Sequence, residues 1–255
     1  MRNRRKRLHP DWGDLATLMP FQPALIRFPL LRATPARLVI AALVALLLTG
    51  LQWWTPIPVQ AAAYTSAGSG DWSAASSWSP SGIPNAGDTV VIAAGHTVTV
   101  SSSQAALGVT VNGTGVLTVS STLTVGASGI TIDASGAVTN NGTVTNAGNL
   151  SVTGTGVLTN NGAASITGTV TGTGSLVQGT GATLNLANAV APTITTMNAT
   201  TSTPNTVAFT GAGQAIGAYA YSNLTLSGTG AKTGTPTSVS GAFTLAGTAP
   251  TRSRR

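Results

Sequence analysis

The sequence predicts an all-β chain built as a parallel β-helix, a solenoid with rungs of about 20 residues, preceded by an N-terminal apolar signal or anchor helix. Three observations point there. Units opening on Gly115, Gly136, Gly156 and Gly174 restart 21, 20 and 18 residues apart. Within the units Val, Leu or Ile alternates with Thr or Ser over short runs, as in Val98-Thr99-Val100, Leu123-Thr124-Val125 and Ile130-Thr131-Ile132. That period of two sends apolar and hydroxyl side chains to opposite faces of a strand. Gly and Asn-Gly then break the runs, at Asn112-Gly113, Asn141-Gly142 and Asn161-Gly162, and both residue types accept the left-handed backbone of tight corners. Frequent Gly and clustered β-branched residues disfavour a helix. A β-sandwich shares the short strands, but its turn signals do not return at a fixed repeat. The pairs Asn140-Asn141 and Asn160-Asn161 fall at matching places one repeat apart, which predicts a ladder of stacked amides.

Taken in chain order, residues 1–37 hold Arg2, Arg4, Arg5, Lys6, Arg7, Arg27, Arg32 and Arg37 among several prolines. A basic, disordered cytoplasmic lead is expected there. Leu38 to Leu51 is an uncharged apolar run of 14 residues, shorter than the roughly 20 that a membrane-spanning helix needs. With bases before it, and Ala61 and Ala63 at the −3 and −1 places of a small-residue exit, residues 38–63 describe a secretory signal cut before Tyr64. Gln52, Trp53 and Trp54 extend the run toward an interfacial anchor, so cleavage and retention as a transmembrane helix both stay open. Residues 64–107 are expected to form an N-terminal cap and first strands, and 108–191 the solenoid repeats. Residues 192–250 are expected to add further solenoid-like repeats, with Thr195 to Pro204 as a linker or an insertion between rungs. Residues 251–255 form a basic tail. The strand-like AFTLAG runs almost directly into it, so the chain reads as a truncated piece of a longer protein.

The formal net charge of +7 sits at the two ends. Between Ala63 and Thr251, Lys232 stands against Asp71, Asp88 and Asp133, a net charge of −2. A region without a basic stripe has no footprint for phosphate, so nucleic acid is not an expected partner. Cysteine is absent, which removes disulfides, thiolate metal sites and a cysteine nucleophile.

The stretch Gly70 to Val100, GDWSAASSWSPSGIPNAGDTVVIAAGHTVTV, resembles the segment that opens the passenger regions of many large bacterial surface proteins. The shared outline is Trp, spacer, Trp, then Pro, Gly-Asp, a hydrophobic trio, Gly-His and alternating Val. It is similar, more loosely, to the start of the glycine-rich G8 domain. Tyr221 to Thr233 looks like a unit of repeat-rich, adhesin-like exported proteins. The resemblance implies a right-handed, pectin-lyase-like β-helix displayed outside the cell, with an adhesive or scaffold role. An autotransporter barrel or sorting motif is missing from the pattern, so the route of export is not implied.

Catalysis by paired carboxylates needs two acids within roughly 5 to 10 Å, and Asp71 and Asp88 are the candidates. Each follows a glycine, where an aspartate caps a turn through its own backbone bonds. Trp72 and Trp78 either stack on sugar rings or plug the open end of the solenoid. His96, in Ala94-Gly95-His96-Thr97, reads as a corner residue without further metal ligands. The expectation is therefore a non-catalytic surface solenoid with no metal and no cofactor. Its partners are expected to be carbohydrate or other surface proteins, with membrane contact only through the N-terminal segment. A polysaccharide-active β-helix enzyme and a membrane-anchored extracellular stalk are the alternatives.

Overall fold

The computed structural model describes Val39 and residues 61–247. The expectations for the basic lead, the apolar run and the basic tail fall outside those residues, Val39 apart. Among the described residues no helix is long and apolar enough to cross a membrane.

Residues 63–246 wind into a parallel β-solenoid of about eight turns, each turn near 20 residues. The middle turns lay short strands on three faces. The first face stacks Ala63–Ser66, Thr89–Ile92, the trailing halves of Gln104–Val111 and Thr122–Ile132, and Leu150–Val152. It is continued by the leading residues of Val170–Gln178 and Thr193–Asn198. The second face stacks Gly70–Asp71, Thr97–Val100, Val116–Val119, Ala137–Asn140 and Val157–Asn160. The trailing residues of Val170–Gln178 and Thr193–Asn198 follow, and Ala220–Tyr221 pairs with Ser238–Val239 beyond them. The third face begins with the leading residues of Gln104–Val111 and Thr122–Ile132. Thr143–Asn146, Ala163–Ile166, Thr183–Leu186, Thr206–Phe209, Asn223–Ser227 and Phe243–Ala246 complete it. These pairings are parallel, which excludes the antiparallel sandwich. The exception is Ala63–Ser66, which also pairs antiparallel with Trp78–Ser79.

The alternation read from the sequence decides which side chains enter. On the second face Leu117, Val138, Leu158, Leu176 and Met197 lie in register. All are buried, forming one rail of the core. The register offsets between Val116, Ala137, Val157 and Ser175 reproduce the 21, 20 and 18 of the repeat.

Stacked turns sit about 4.8 Å apart, so identical amides can hydrogen-bond along the axis. The expected ladder is present. Asn140 Nδ2 donates to Asn160 Oδ1 at 2.7 Å, and Asn160 Nδ2 donates to Gln178 Oε1 at 3.0 Å. Outside the corner, Asn161 Nδ2 donates to Asn141 Oδ1 at 2.9 Å. The close stacking also explains Gly172, held at φ +123 with the Val152 carbonyl where a Cβ would stand. Thr195 to Pro204, expected as a linker or an insertion, supplies the end of a strand, Thr193–Asn198, and the corner after it.

Candidate functional site

The residues singled out in the sequence lie in the first turn and at the start of the second, each with its own local partners. Trp72 and Trp78 are 0% and 2% exposed. Their rings meet edge to face at 5.0 Å, Tyr64 approaches Trp78 at 6.5 Å, and Trp78 Nε1 donates to the Trp72 carbonyl at 2.7 Å. This T-shaped cluster closes the first turn, and its burial leaves neither indole a face on which a sugar ring could stack.

Asp88, buried just before Thr89–Ile92, accepts the Ala62 N–H at 2.8 Å on Oδ1 and the Asn85 N–H at 2.9 Å on Oδ2. Asp71 accepts the Ser73 N–H at 2.8 Å and the Ser73 hydroxyl at 2.5 Å. Hydrogen bonds from the Ser101 and Ser73 side chains hold its carboxyl below the ordinary carboxylate range. Both acids therefore sit in turns they themselves organise, as the Gly-Asp context predicts. His96 Nδ1 lies 2.8 Å from Ser66 Oγ, which also accepts the Ala93 N–H at 2.9 Å. Ser66, which the sequence does not single out, thus ties the first strand to the corner at 93–96. Ala61 is exposed, while Ala63 opens the first strand opposite Thr89. Among the described residues no three His, Cys, Asp or Glu side chains are grouped so as to hold a metal ion.

Outside the core, the faces are columns of hydroxyls and amides. On the second face Thr99, Thr118, Thr139 and Thr159 stand in register. On the third, Thr124, Thr145, Ser165 and Asn185 form one column, and Thr122 and Thr143 begin a second. Where the third face begins, the loop Pro84-Asn85-Ala86 rises beside it. Together they enclose an open groove of about 360 Å³. Ser103, Gln104 and Ala105 line it together with Thr122 and Thr124, Ala105 and Thr124 standing in register on adjacent strands of that face. The lining carries no ionisable side chain. It pairs small apolar surfaces, Pro84, Ala86 and Ala105, with the hydroxyls and amides that fix orientation in a ligand site. Periodicity in the sequence marks Thr122 and Thr124 as outward residues. It carries no signal that a loop some 40 residues earlier stands against them.

Comparison with known proteins adds a family. No curated protein and no solved structure matches the chain. The model of the G8 domain matches residues 77–239, a span that starts in the tryptophan cap, takes in the groove and runs through the last turns of the second face. With well over half of its length matched on this fold, the chain belongs to the G8 domain family.

Proposed function

We propose that this protein is an exported, non-catalytic solenoid of the cell surface, an adhesin-like or scaffold element whose third face contacts neutral carbohydrate. One observation carries the reading: the groove at the start of that face is lined by hydroxyl, amide and small apolar groups with no ionisable side chain among them. An uncharged, polyhydroxylated chain matches such a lining, offering C–H edges to Pro84 and Ala105 and hydroxyls to Asn85, Gln104 and the threonines. A phosphate-rich or strongly anionic polymer finds no cation there. The non-catalytic part is supported by Asp71 and Asp88, whose oxygens are engaged by turn backbone and serine groups. Export is supported by the signal-like pattern of residues 38–63, and surface display by the resemblance of the Trp-to-Asp stretch.

The test is a glycan array probed with the full chain and with Thr124→Trp, which places an indole in the groove. Binding to neutral glucans or xylans is expected, weakened at least about tenfold in the variant, a loss of roughly 1.4 kcal/mol. Uniform silence across the array would refute the carbohydrate contact and leave a purely structural role. Preference for anionic glycans would refute the neutral class.

A further inference from the structure

Asp88 poses a charge problem. It is 2% exposed, and both its oxygens accept backbone N–H groups, the pattern of a carboxylate. A carboxylate that deep in a fold calls for a counter-ion. Between Ala63 and Thr251 the basic side chain is Lys232, and its ammonium is bound by the Gly211 carbonyl and by Gln214 Oε1 at 3.3 Å. Among the described residues, a new chain terminus at Ala62 would bring positive charge into direct contact with Asp88. The atom that donates to Asp88 Oδ1 at 2.8 Å is the backbone nitrogen of Ala62, and Ala62 lies within residues 38–63, where the sequence expects export processing, two residues before the expected cut at Tyr64.

We propose that processing hydrolyses the Ala61–Ala62 bond and that the new α-ammonium of Ala62 serves as the counter-ion of Asp88. The proposal rests on the export reading above. Water adds across the amide, Ala61 leaves with the carboxylate, and the Ala62 nitrogen takes up a proton to become the ammonium. The co-reactant is the serine endopeptidase of a bacterial secretion system, acting before the solenoid closes. Val59 and Ala61 occupy the −3 and −1 places, a small-residue pattern of the kind such enzymes read.

The alternative cut, after Ala63, conflicts with the fold. It removes Ala62, whose N–H holds Asp88 and whose carbonyl accepts the Thr89 N–H at 2.9 Å. It also removes Ala63, which stands in register with Thr89 at the start of the first face. Cutting after Ala61 keeps all of these contacts. It turns a hydrogen bond with one charged partner into an ion pair at the same position, with both donor and acceptor charged.

The full chain, exported from a bacterial secretion host, is sequenced from its mature N-terminus. Ala62 is the expected first residue; Tyr64, or an unprocessed chain, overturns the cut. Cell fractionation of the same culture reads surface display separately, so failure of the cut and failure of the export reading are told apart. The second arm measures acylation of the mature α-amine by acetic anhydride at neutral pH. Pairing with Asp88 is expected to slow it at least about tenfold against a free N-terminal amine, and Asp88→Asn is expected to restore the rate. A rate equal to that of a free amine overturns the pairing. If Asp88→Asn does not fold, the pH dependence of wild-type acylation decides. A midpoint above the ordinary range of about 7.7–8.0 supports the pair, and one inside that range overturns it.

Discussion

Ala134 occupies a place that its neighbours in the stack assign to glycine. Its φ is +53, against +53 at Gly113 one turn before and +59 at Gly154 one turn after. The corner tolerates the alanine because Asp133 Oδ1 accepts the Ala134 N–H at 2.8 Å and also the Thr153 hydroxyl at 2.7 Å, pinning the turn from its own side chain. A left-handed backbone costs a residue with a Cβ about 1–2 kcal/mol. Glycine's larger unfolded-state entropy takes back about 0.5–1 kcal/mol. Ala134→Gly is therefore expected to stabilise the protein by about 0.5–1 kcal/mol in chemical denaturation. The reverse change next door, Gly154→Ala, is expected to destabilise more than this, since its Cβ would meet the Ala134 carbonyl of the turn beneath. If Ala134→Gly is neutral or harmful, Asp133 has already removed the strain.

The amide ladder belongs to the scale of strands, because it needs three consecutive strands of the second face in register. Asn160 is its centre. Its Oδ1 accepts from Asn140, and its Nδ2 donates to Gln178 Oε1 and, at 3.0 Å, to the Thr183 carbonyl. Gln178 is its end, with Nε2 buried and unpartnered. Asn160→Val strands a donor below and an acceptor above, and is expected to cost about 2–4 kcal/mol. Gln178→Leu takes one acceptor from Asn160 Nδ2, which keeps the Thr183 carbonyl, but also removes the unpartnered Nε2, and is expected to cost less, about 1 kcal/mol. Equal losses in urea titrations would place the stabilisation outside the ladder. The two Asn pairs were legible in the sequence because they repeat a residue type at the repeat spacing. Gln178 was not, since nothing in GSLVQG marks its glutamine as the third amide of a column of asparagines. The groove escaped for a related reason: alternation along a strand reports which side a residue faces, not which distant loop lies over that side. The tryptophans were legible as a cluster, but only their burial separates an end seal from a sugar platform.

A solenoid distributes its stability turn by turn, since each turn contacts mainly its neighbours, and the first and last described turns differ. At the first turn Trp72 and Trp78 are buried against Tyr64. At the last described turn Phe243 and Leu245 are 54% and 72% exposed, although they stand in register with Leu224 and Leu226, which are buried one turn earlier. Opening should therefore start at Phe243–Ala246 and travel toward the cap. Hydrogen exchange read by mass spectrometry is expected to show protection rising from that strand through Asn223–Ser227 and Thr206–Phe209 to a maximum at Val116–Val119 and Val157–Asn160. Trp72→Ala tests the other end. The loss of a buried aromatic costs about 3–5 kcal/mol locally, so protection should fall first in Thr89–Ile92 and Thr97–Val100 while Thr183–Leu186 keeps its own. Measured by exchange, the variant then has two fraying ends around a protected middle. If all strands instead lose protection by the same amount, the turns unfold as one cooperative block, and the cap stabilises the whole solenoid rather than its first turns.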